Sequence, residues 1–342
     1  MRPTAGYDVL LVTLFTMARP PFVDPDYWRL LGGQTPVPDP PETDLYAIRN
    51  TTTASTKAAS DALPFPSGMT TMVSTATAAD GSKFNITRFV PLAVQQSQDT
   101  APPHRAVVYA FGGGMIAGSV AISYNMIANF AEHTATQVFA PDYRLAPEHP
   151  YPAALDDVYT CITWLQAHAA DFNVDPARIV TFGQSAGGAL TAASALKARD
   201  EGLNPPLAAQ VLRYPMLDDR TEMDPQNPRF PFLTWSPSSN TIAWKAYLEK
   251  INETEGGLAP VPYTAAPARA DDLHGLPTTH LGVGGLDLFR DESVSFAARL
   301  SSHDVKVQSN VYPGVPHGFD GSPAFSLRFE LWSNEARFIQ QF

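Results

Sequence analysis

The 342-residue chain is predicted to be an α/β protein with a mostly parallel central sheet flanked by helices. Apolar segments at residues 106–111, 137–140 and 178–182 alternate with helix-forming segments, a pattern typical of strands buried on both faces of a parallel sheet. Hydrophobic residues make up 44% of the chain and charged residues 17%, so a large core can form. The length allows two domains or one domain with an insertion.

Residues 1–65 are predicted to form an N-terminal arm that lies over the main body. Seven prolines between positions 20 and 41 are expected to prevent long regular structure there. Tyr27 and Trp28 belong to an apolar surface that has to be buried. An arm packed on the core would satisfy both observations.

The sheet is expected to begin after the arm, with an antiparallel pair of strands. Segments 70–77 and 85–90 flank Asp80-Gly81, a turn pair that joins antiparallel strands. The remaining strands and their helices divide the core into two parts, 66–215 and 278–342. The further strands are predicted at residues 106–111, 137–140, 178–182, 208–214, 279–283 and 305–311, and helices at 152–170 and 189–199.

Residues 216–277 interrupt the alternation and are predicted to form a cap. The segment contains one clear helix, at residues 239–251. A segment of this length between two core strands is usually a lid or cap. Together with the N-terminal arm, it is expected to roof an apolar pocket above the carboxyl ends of the strands. Its aromatic residues include Phe230, Phe232, Trp235, Trp244 and Tyr247.

Ser185 has the surroundings of a nucleophile. It stands between Gly183 and Gly187 at the G-x-S-x-G spacing, behind an apolar strand and before a helix-forming segment. Such an elbow exposes the serine hydroxyl, and the glycines let chain segments approach closely. The amide of Ala186, at the start of the helix, is the first expected donor to an oxyanion.

Two partners of the serine are expected later in the chain, an acid and then a histidine. Asp287 follows an apolar strand and the turn Gly284-Gly285, and His317 follows the turn at residues 313–316. Both would lie at the carboxyl edge of the sheet, near Ser185. Asp291 is a nearby competitor for the acid, and seven other histidines are present. Ser185 would attack a carbonyl carbon, His317 would move the proton, and Asp287 would orient the imidazole.

Gly112-Gly113-Gly114 ends a buried strand, where the second half of an oxyanion hole is expected. A flexible turn is the alternative interpretation of these glycines.

Over about residues 105–320, these motifs together resemble the hormone-sensitive-lipase-like branch of the α/β-hydrolase family. The resemblance implies hydrolysis of carboxylic esters without a metal or organic cofactor. It also implies an oxyanion hole formed by the backbone of Gly113, Gly114 and Ala186. The matching segments are FGGG at 111–114, DYRLAPE at 142–148, GQSAGG at 183–188, Tyr214-Pro215, Asp287 with Arg290-Asp291-Glu292, and PHGF at 316–319.

The chain departs from the family pattern at two positions. Phe111 stands where the family usually has histidine, and Gln184 stands where it usually has aspartate. Phe111 is expected to pack near the acyl pocket and reshape it. With Met115, Gln184, Tyr214 and Leu288, it forms the set of residues predicted to contact substrate.

The composition excludes several classes of function. A formal net charge of -11 disfavours binding to nucleic acid or an anionic membrane. One cysteine, Cys161, excludes an internal disulfide and a cysteine-cluster metal site and is expected to be a buried thiol. The apolar segment at residues 9–15 is too short to span a bilayer and makes a weak signal peptide. A cytoplasmic protein is expected, with secretion and a homodimer left open.

Three functions remain as hypotheses. The first is a serine carboxylesterase that acts on a hydrophobic ester of modest size through an acyl-enzyme at Ser185. The second keeps the triad but changes the acceptor: acyl transfer, lactone formation or thioester release in secondary metabolism. The third is a non-hydrolytic cyclase or a binding protein on the same fold.

Overall fold

The computed structural model describes residues 19–97, 102–253 and 260–342, so the apolar segment at residues 9–15 lies outside the described residues. The strands are β1 (Thr70–Thr77), β2 (Lys83–Val90), β3 (His104–Ala110), β4 (Gln137–Pro141), β5 (Val174–Gln184), β6 (Ala209–Arg213), β7 (Thr278–Gly284) and β8 (Val307–Tyr312). They form one sheet in the order β1-β2-β4-β3-β5-β6-β7-β8. β1 and β2 pair antiparallel, as do β2 and β4, whereas all later pairs are parallel. The predicted α/β class and the Asp80-Gly81 hairpin are confirmed.

Helices cover both faces of the sheet. They are α1 (Pro25–Leu30), α2 (Leu45–Asp61), α3 (Leu92–Ser97), α4 (Tyr124–Thr134), α5 (Ala153–Ala167), α6 (Ala186–Asp200), α7 (Pro237–Tyr247), α8 (Glu249–Glu253), α9 (Arg290–Ser302) and α10 (Leu327–Ile339). Successive strand residues point to opposite faces. Val107 of β3 therefore belongs to the apolar cluster that includes α4 and α10, while Val108 belongs to the one that includes α9. Cys161 lies fully buried on α5, and burial raises the pKa of its thiol.

The expectation that prolines prevent long regular structure in residues 1–65 is wrong for the second half of this arm. α2 is a helix of 17 residues. It begins at Leu45, after the last proline of the cluster, and Asp44 caps it by accepting a hydrogen bond from the amide of Tyr46. A proline interrupts a helix only when it lies inside that helix. The proline-free residues after Pro41 can therefore become helical.

The N-terminal arm and the insertion pack against each other. The hydroxyl of Tyr27 donates to the carbonyl of Phe232 at 3.0 Å, and the ring of Phe22 meets that of Phe232 edge-on. The amide of Glu42 donates to the hydroxyl of Ser238 at 3.0 Å. These contacts join two segments that are about 200 residues apart in the chain. In the part of the chain that the structure covers, no helix combines the length and apolarity needed to cross a bilayer.

Candidate active site

Ser185 occupies a sharp turn between β5 and α6. Its backbone has φ 56° and ψ −122°, a strained conformation for a residue with a side chain. The turn is tight enough that a Cβ on Gly183 would lie 2.0 Å from the carbonyl oxygen of Gly187. Glycine is therefore required at position 183, and the elbow expected from the sequence forms here.

Ser185, His317 and Asp287 form one chain of hydrogen bonds. The hydroxyl of Ser185 lies 2.9 Å from Nε2 of His317, and Nδ1 of His317 lies 2.7 Å from Oδ2 of Asp287. Asp287 is fully buried, whereas Ser185 is 8% exposed. The N–H group at Nδ1 of His317 donates a hydrogen bond to the carboxylate of Asp287. Nε2 therefore carries the lone pair that accepts the proton of the serine hydroxyl.

Asp287, not Asp291, contacts the histidine. Oδ1 of Asp287 accepts a hydrogen bond of 2.8 Å from the amide of Phe289, which holds the carboxylate in place. Asp291 is instead an exposed partner of Arg229 and Arg290. The two aspartates are only four positions apart, and the choice between them depends on the direction of their side chains.

The glycine loop after β3 lies beside the nucleophile. A Cβ on Gly112 would lie 3.2 Å from Cβ of Ser185. Gly113 has φ 132°, and a Cβ there would lie 2.1 Å from the carbonyl oxygen of Ala117, so only glycine fits this turn. Ala186 is the first residue of α6, where backbone amides have no acceptor within the helix. The glycine loop and the start of α6 are thus both adjacent to Ser185, and their backbone amides remain the candidate oxyanion donors.

All five residues predicted to contact substrate are buried. Phe111 and Met115 are fully buried, and the ring of Phe111 stacks on that of Tyr143 at 3.9 Å. The hydroxyl of Tyr143 donates to the carbonyl of Phe111 at 2.7 Å. Phe111 therefore supports the glycine loop from the core. The departure from histidine places a packed aromatic pair at the base of the loop.

Gln184 and Leu288 also point into the protein interior. Oε1 of Gln184 accepts a hydrogen bond of 3.0 Å from the hydroxyl of Tyr109, which lies in the core. Leu288 is 3% exposed and belongs to the same apolar cluster as Met115. Gln184 and Leu288, the sequence neighbours of Ser185 and Asp287, thus contact interior residues.

Tyr214 connects the histidine to a buried ionic network. Its ring meets the imidazole of His317 edge-on at 4.6 Å, and its hydroxyl donates to Oδ1 of Asp320 at 2.7 Å. Arg213 donates to Oδ2 of Asp320 at 2.6 Å and to both carboxylate oxygens of Glu335. Burial raises the pKa of Tyr214 well above its ordinary value, which keeps the hydroxyl protonated as a donor. No local sequence pattern marks this network, because its members come from three separate segments.

Glu292 fastens the start of the insertion to α9. Its Oε1 accepts hydrogen bonds from the amides of Leu217 and Asp218, and its Oε2 from the hydroxyl of Thr221. Burial raises the pKa of Glu292 to about 8. The loop that carries Asp287 immediately precedes α9, so this contact joins the insertion to the element behind the acid.

The insertion also reaches the catalytic side chains. The hydroxyl of Thr234 donates to the carbonyl of His317 at 2.8 Å. A Cβ on Gly114 would lie 2.8 Å from the indole of Trp235, which therefore covers the glycine loop. Thr234 and Trp235 also line an open cleft of about 530 Å³ between the arm and the insertion. The sequence marked Trp235 only as one of several aromatic residues of the insertion, and nothing marked Thr234.

The chain is similar to proteins of one fold family. A family model described as the alpha/beta hydrolase fold matches residues 107–321. Carboxylesterase NlhH of Mycobacterium tuberculosis is 36% identical over 215 residues, which cover 62% of this chain and 66% of NlhH. An arylesterase of Saccharolobus solfataricus is 33% identical over 239 residues, covering 64% of this chain and 70% of that protein. The matched stretch is thus just under two thirds of NlhH.

Solved structures extend the similarity to nearly the whole chain. A bacterial heroin esterase superimposes with a TM-score of 0.80 and 32% identity, covering 94% of this chain and 98% of that one. An esterase of Pyrobaculum calidifontis gives a TM-score of 0.79 with 26% identity, covering 93% and 98%. The family model, by contrast, includes the insertion at residues 216–277 but ends short of the arm at residues 1–65.

Proposed function

The chain belongs to the α/β-hydrolase fold family, and from this we propose that it is a serine carboxylesterase that acts on a hydrophobic ester of modest size. The observation that carries the proposal is the hydrogen-bond chain from Ser185 through His317 to Asp287. The relatives named above are esterases, which favours hydrolysis over acyl transfer or cyclisation.

The geometry supports a two-step reaction. Oγ of Ser185 attacks the carbonyl carbon of the ester while its proton passes to Nε2 of His317. The amides of Gly113, Gly114 and Ala186 donate to the oxygen that becomes negative. His317 then returns the proton to the departing alcohol, which leaves an acyl group on Ser185. Water, deprotonated by His317, releases the acid in the same way.

We infer that the cap over this centre, predicted at residues 1–65 and 216–277, is formed by the described parts of the arm and the insertion. Prolines and apolar side chains line the cleft between them, including Val37, Met223 and Phe230. Such a lining favours an apolar group of the substrate. The core consists of residues 66–215 and 278–342. We propose that the enzyme is cytoplasmic. Its ligands would be small esters and not nucleic acid. Light scattering would distinguish a monomer from a homodimer.

We expect p-nitrophenyl esters to be hydrolysed with an optimum at a short to medium acyl chain. The cleft of about 530 Å³ between the arm and the insertion reaches the triad at Thr234 and Trp235 and is of the size that accepts a small ligand, so we expect it to hold a short acyl chain. The measurement is kcat/KM across a series from acetate to palmitate. Rates that rise steadily to the longest chain would contradict a substrate of modest size. An acyl-enzyme that accumulates without hydrolysis would point to another acceptor instead of water.

A further inference from the structure

Three ligating side chains meet at the edge of the sheet opposite the triad. Asp272 and His274 lie on the loop before β7, and His303 follows the last turn of α9, before β8. One ligand atom of each lies within 4.8 Å of those of the other two. The triad lies beyond the carboxyl ends of the strands, whereas these residues precede the strands. They are separate from the site described above.

One of the two histidines, His303, is already held in the tautomer that binds metals. Nδ1 of His303 lies 2.8 Å from the carbonyl of Arg299, which can only accept, so Nδ1 carries the proton and Nε2 has the lone pair. Nδ1 of His274 lies 2.7 Å from Oδ1 of Asp272, so an ion bound by these two facing atoms would take the place of the proton between them. Histidine ligands of metals are usually oriented by a hydrogen bond from the other ring nitrogen.

The loop that carries two of the ligands is fixed by arginines. Arg199 donates to the carbonyl oxygens of Asp272 and His274, at 2.9 and 3.2 Å. Arg299 donates to the carbonyl oxygens of Ala268 and Ala270. The charge of Arg199 is offset by Asp200, at 2.7 Å. Since the backbone is already ordered, binding a cation would cost only the torsional freedom of the ligand side chains.

We propose that Asp272, His274 and His303 form a zinc site, with water as the fourth ligand. Two imidazoles and a carboxylate suit Zn²⁺ or a similar first-row divalent ion, and not Mg²⁺ or Ca²⁺, which prefer oxygen ligands. Tetrahedral coordination brings ligand atoms to about 3.4 Å from one another. Exposed side chains close the remaining gap by small torsional changes. The ion would join the loop before β7 to the end of α9 and would stabilise the fold without taking part in ester hydrolysis.

The test is calorimetric titration of the chelator-treated full chain with ZnCl₂, together with thermal denaturation. We expect one Zn²⁺ per chain and a higher Tm with zinc, since binding to the folded state stabilises it. His303→Gln and Asp272→Asn should each weaken zinc binding at least about tenfold, the lower end of what even an outer partner of a ligand is worth. His168→Gln is the matched control, because Nδ1 of His168 also lies 2.8 Å from the carbonyl four residues earlier, at the end of α5.

Two results would overturn the zinc site. One is the absence of saturable zinc binding by the wild-type chain. The other is binding that survives His303→Gln and Asp272→Asn, for example because zinc is held by His317, in which case zinc would also block turnover of esters. If His168→Gln weakened zinc binding as much as His303→Gln does, the effect of both changes would come from a less stable fold and not from the loss of a ligand.

A second, independent observation concerns Arg49 on α2. Nε of Arg49 donates to the carbonyl of Ile116 at 2.6 Å, and one terminal nitrogen donates to the carbonyl of Ala146 at 2.7 Å. Both terminal nitrogens also bond the carboxylate of Glu148, at 2.8 and 2.7 Å. Ile116 lies in the turn closed by Gly113, since its amide donates to the carbonyl of Gly113.

We infer that Arg49 is a positioning residue for the oxyanion hole, an inference that rests on the proposed esterase activity. A single planar guanidinium ties α2 to the glycine loop and to the loop after β4, where the amide of Ala146 donates to the carbonyl of Met115. Arg49 does not touch the reacting atoms. It acts through the backbone that presents the amides of Gly113 and Gly114.

We expect Arg49→Met to lower kcat for p-nitrophenyl acetate about tenfold with little change in KM, less than the roughly 10²–10³ lost when an oxyanion donor itself is removed. Glu148→Gln is the matched control, since it breaks the ion pair but leaves Arg49 its hydrogen bonds to the two carbonyls. It should keep kcat near wild type. Arg49→Lys, which retains the charge, should recover part of the rate.

The outcomes separate this inference from the proposed function. Full activity in Arg49→Met would overturn the role of Arg49 and leave the esterase intact. A wild-type chain inactive on every ester would overturn both. A rise in KM at constant kcat would show that Arg49 serves substrate binding instead of the oxyanion hole. If Arg49→Met does not fold, Arg49→Lys becomes the test. A normal kcat in Arg49→Lys, together with a structure in which the lysine bonds neither carbonyl, would also overturn the role of Arg49.

Discussion

Replacing Ser185 with alanine is expected to lower kcat for p-nitrophenyl esters by roughly 10⁶-fold, the loss that follows removal of the nucleophile of a serine hydrolase. Oγ of Ser185 is the atom within 2.9 Å of Nε2 of His317, and its removal leaves the base without a proton to accept. Folding should be preserved, because alanine removes one oxygen from an 8% exposed residue. Steady-state kinetics measure the loss, and intact-mass spectrometry should show that the acyl adduct is absent.

Ser194→Ala is the matched control for this change. Ser194 lies on the same helix as the elbow and is fully buried, away from the hydrogen-bond chain. It should retain normal turnover and form the acyl adduct. Substantial activity in Ser185→Ala would remove Ser185 from the mechanism, whatever the geometry of the elbow.

Asp287→Asn is expected to lower kcat about 10⁴-fold near neutral pH. In the wild-type chain the backbone amide of Phe289 donates to Oδ1 of Asp287 at 2.8 Å. The side-chain oxygen of asparagine can accept the same hydrogen bond. The amide nitrogen would then face Nδ1 of His317 and donate to it, so the ring proton moves to Nε2. A protonated Nε2 cannot take the proton of Ser185. Because the two side chains have the same shape, Tm should change much less than kcat.

Asp291→Asn is the corresponding control. Asp291 was the alternative acid in the sequence, but it is exposed and paired with Arg229 and Arg290. Its replacement should leave kcat within a small factor of wild type, as expected for a surface ion pair. If Asp291→Asn were the inactive variant and Asp287→Asn the active one, the acid would be reassigned.

The strands and the elbow could be predicted because their signals are local. A strand buried on both faces needs apolar residues in sequence, and the turn at Ser185 needs glycine at position 183 because the carbonyl of Gly187 comes so close. Asp287 and His317 could be predicted because each follows a strand and a turn. Parallel strands bring their carboxyl ends to one edge of the sheet, so residues after different strands become neighbours.

Contacts between distant segments could not be predicted from local patterns. Neither the anchoring of Tyr214 by Asp320 nor the contacts of Arg49 with the glycine loop follow from neighbouring residues. Phe111 and Gln184 remain predicted substrate contacts, but only the structure shows that Phe111 stacks on Tyr143 and that Gln184 accepts a hydrogen bond from Tyr109. The helix α2 is not expected from the proline-rich composition of the arm, because the prolines precede the helix and none lies inside it.

The sequence by itself determined the α/β class, the family and the three side chains proposed for catalysis. The apolar residues of a buried strand and the residues of a turn lie next to one another in short segments of the chain. Only the tertiary structure decided which aspartate meets His317, which side chains support the glycine loop and how the insertion reaches the triad through Thr234 and Trp235. These depend on the packing of segments far apart in the chain. Side-chain direction and interatomic distance are properties of the folded arrangement, which no local pattern specifies.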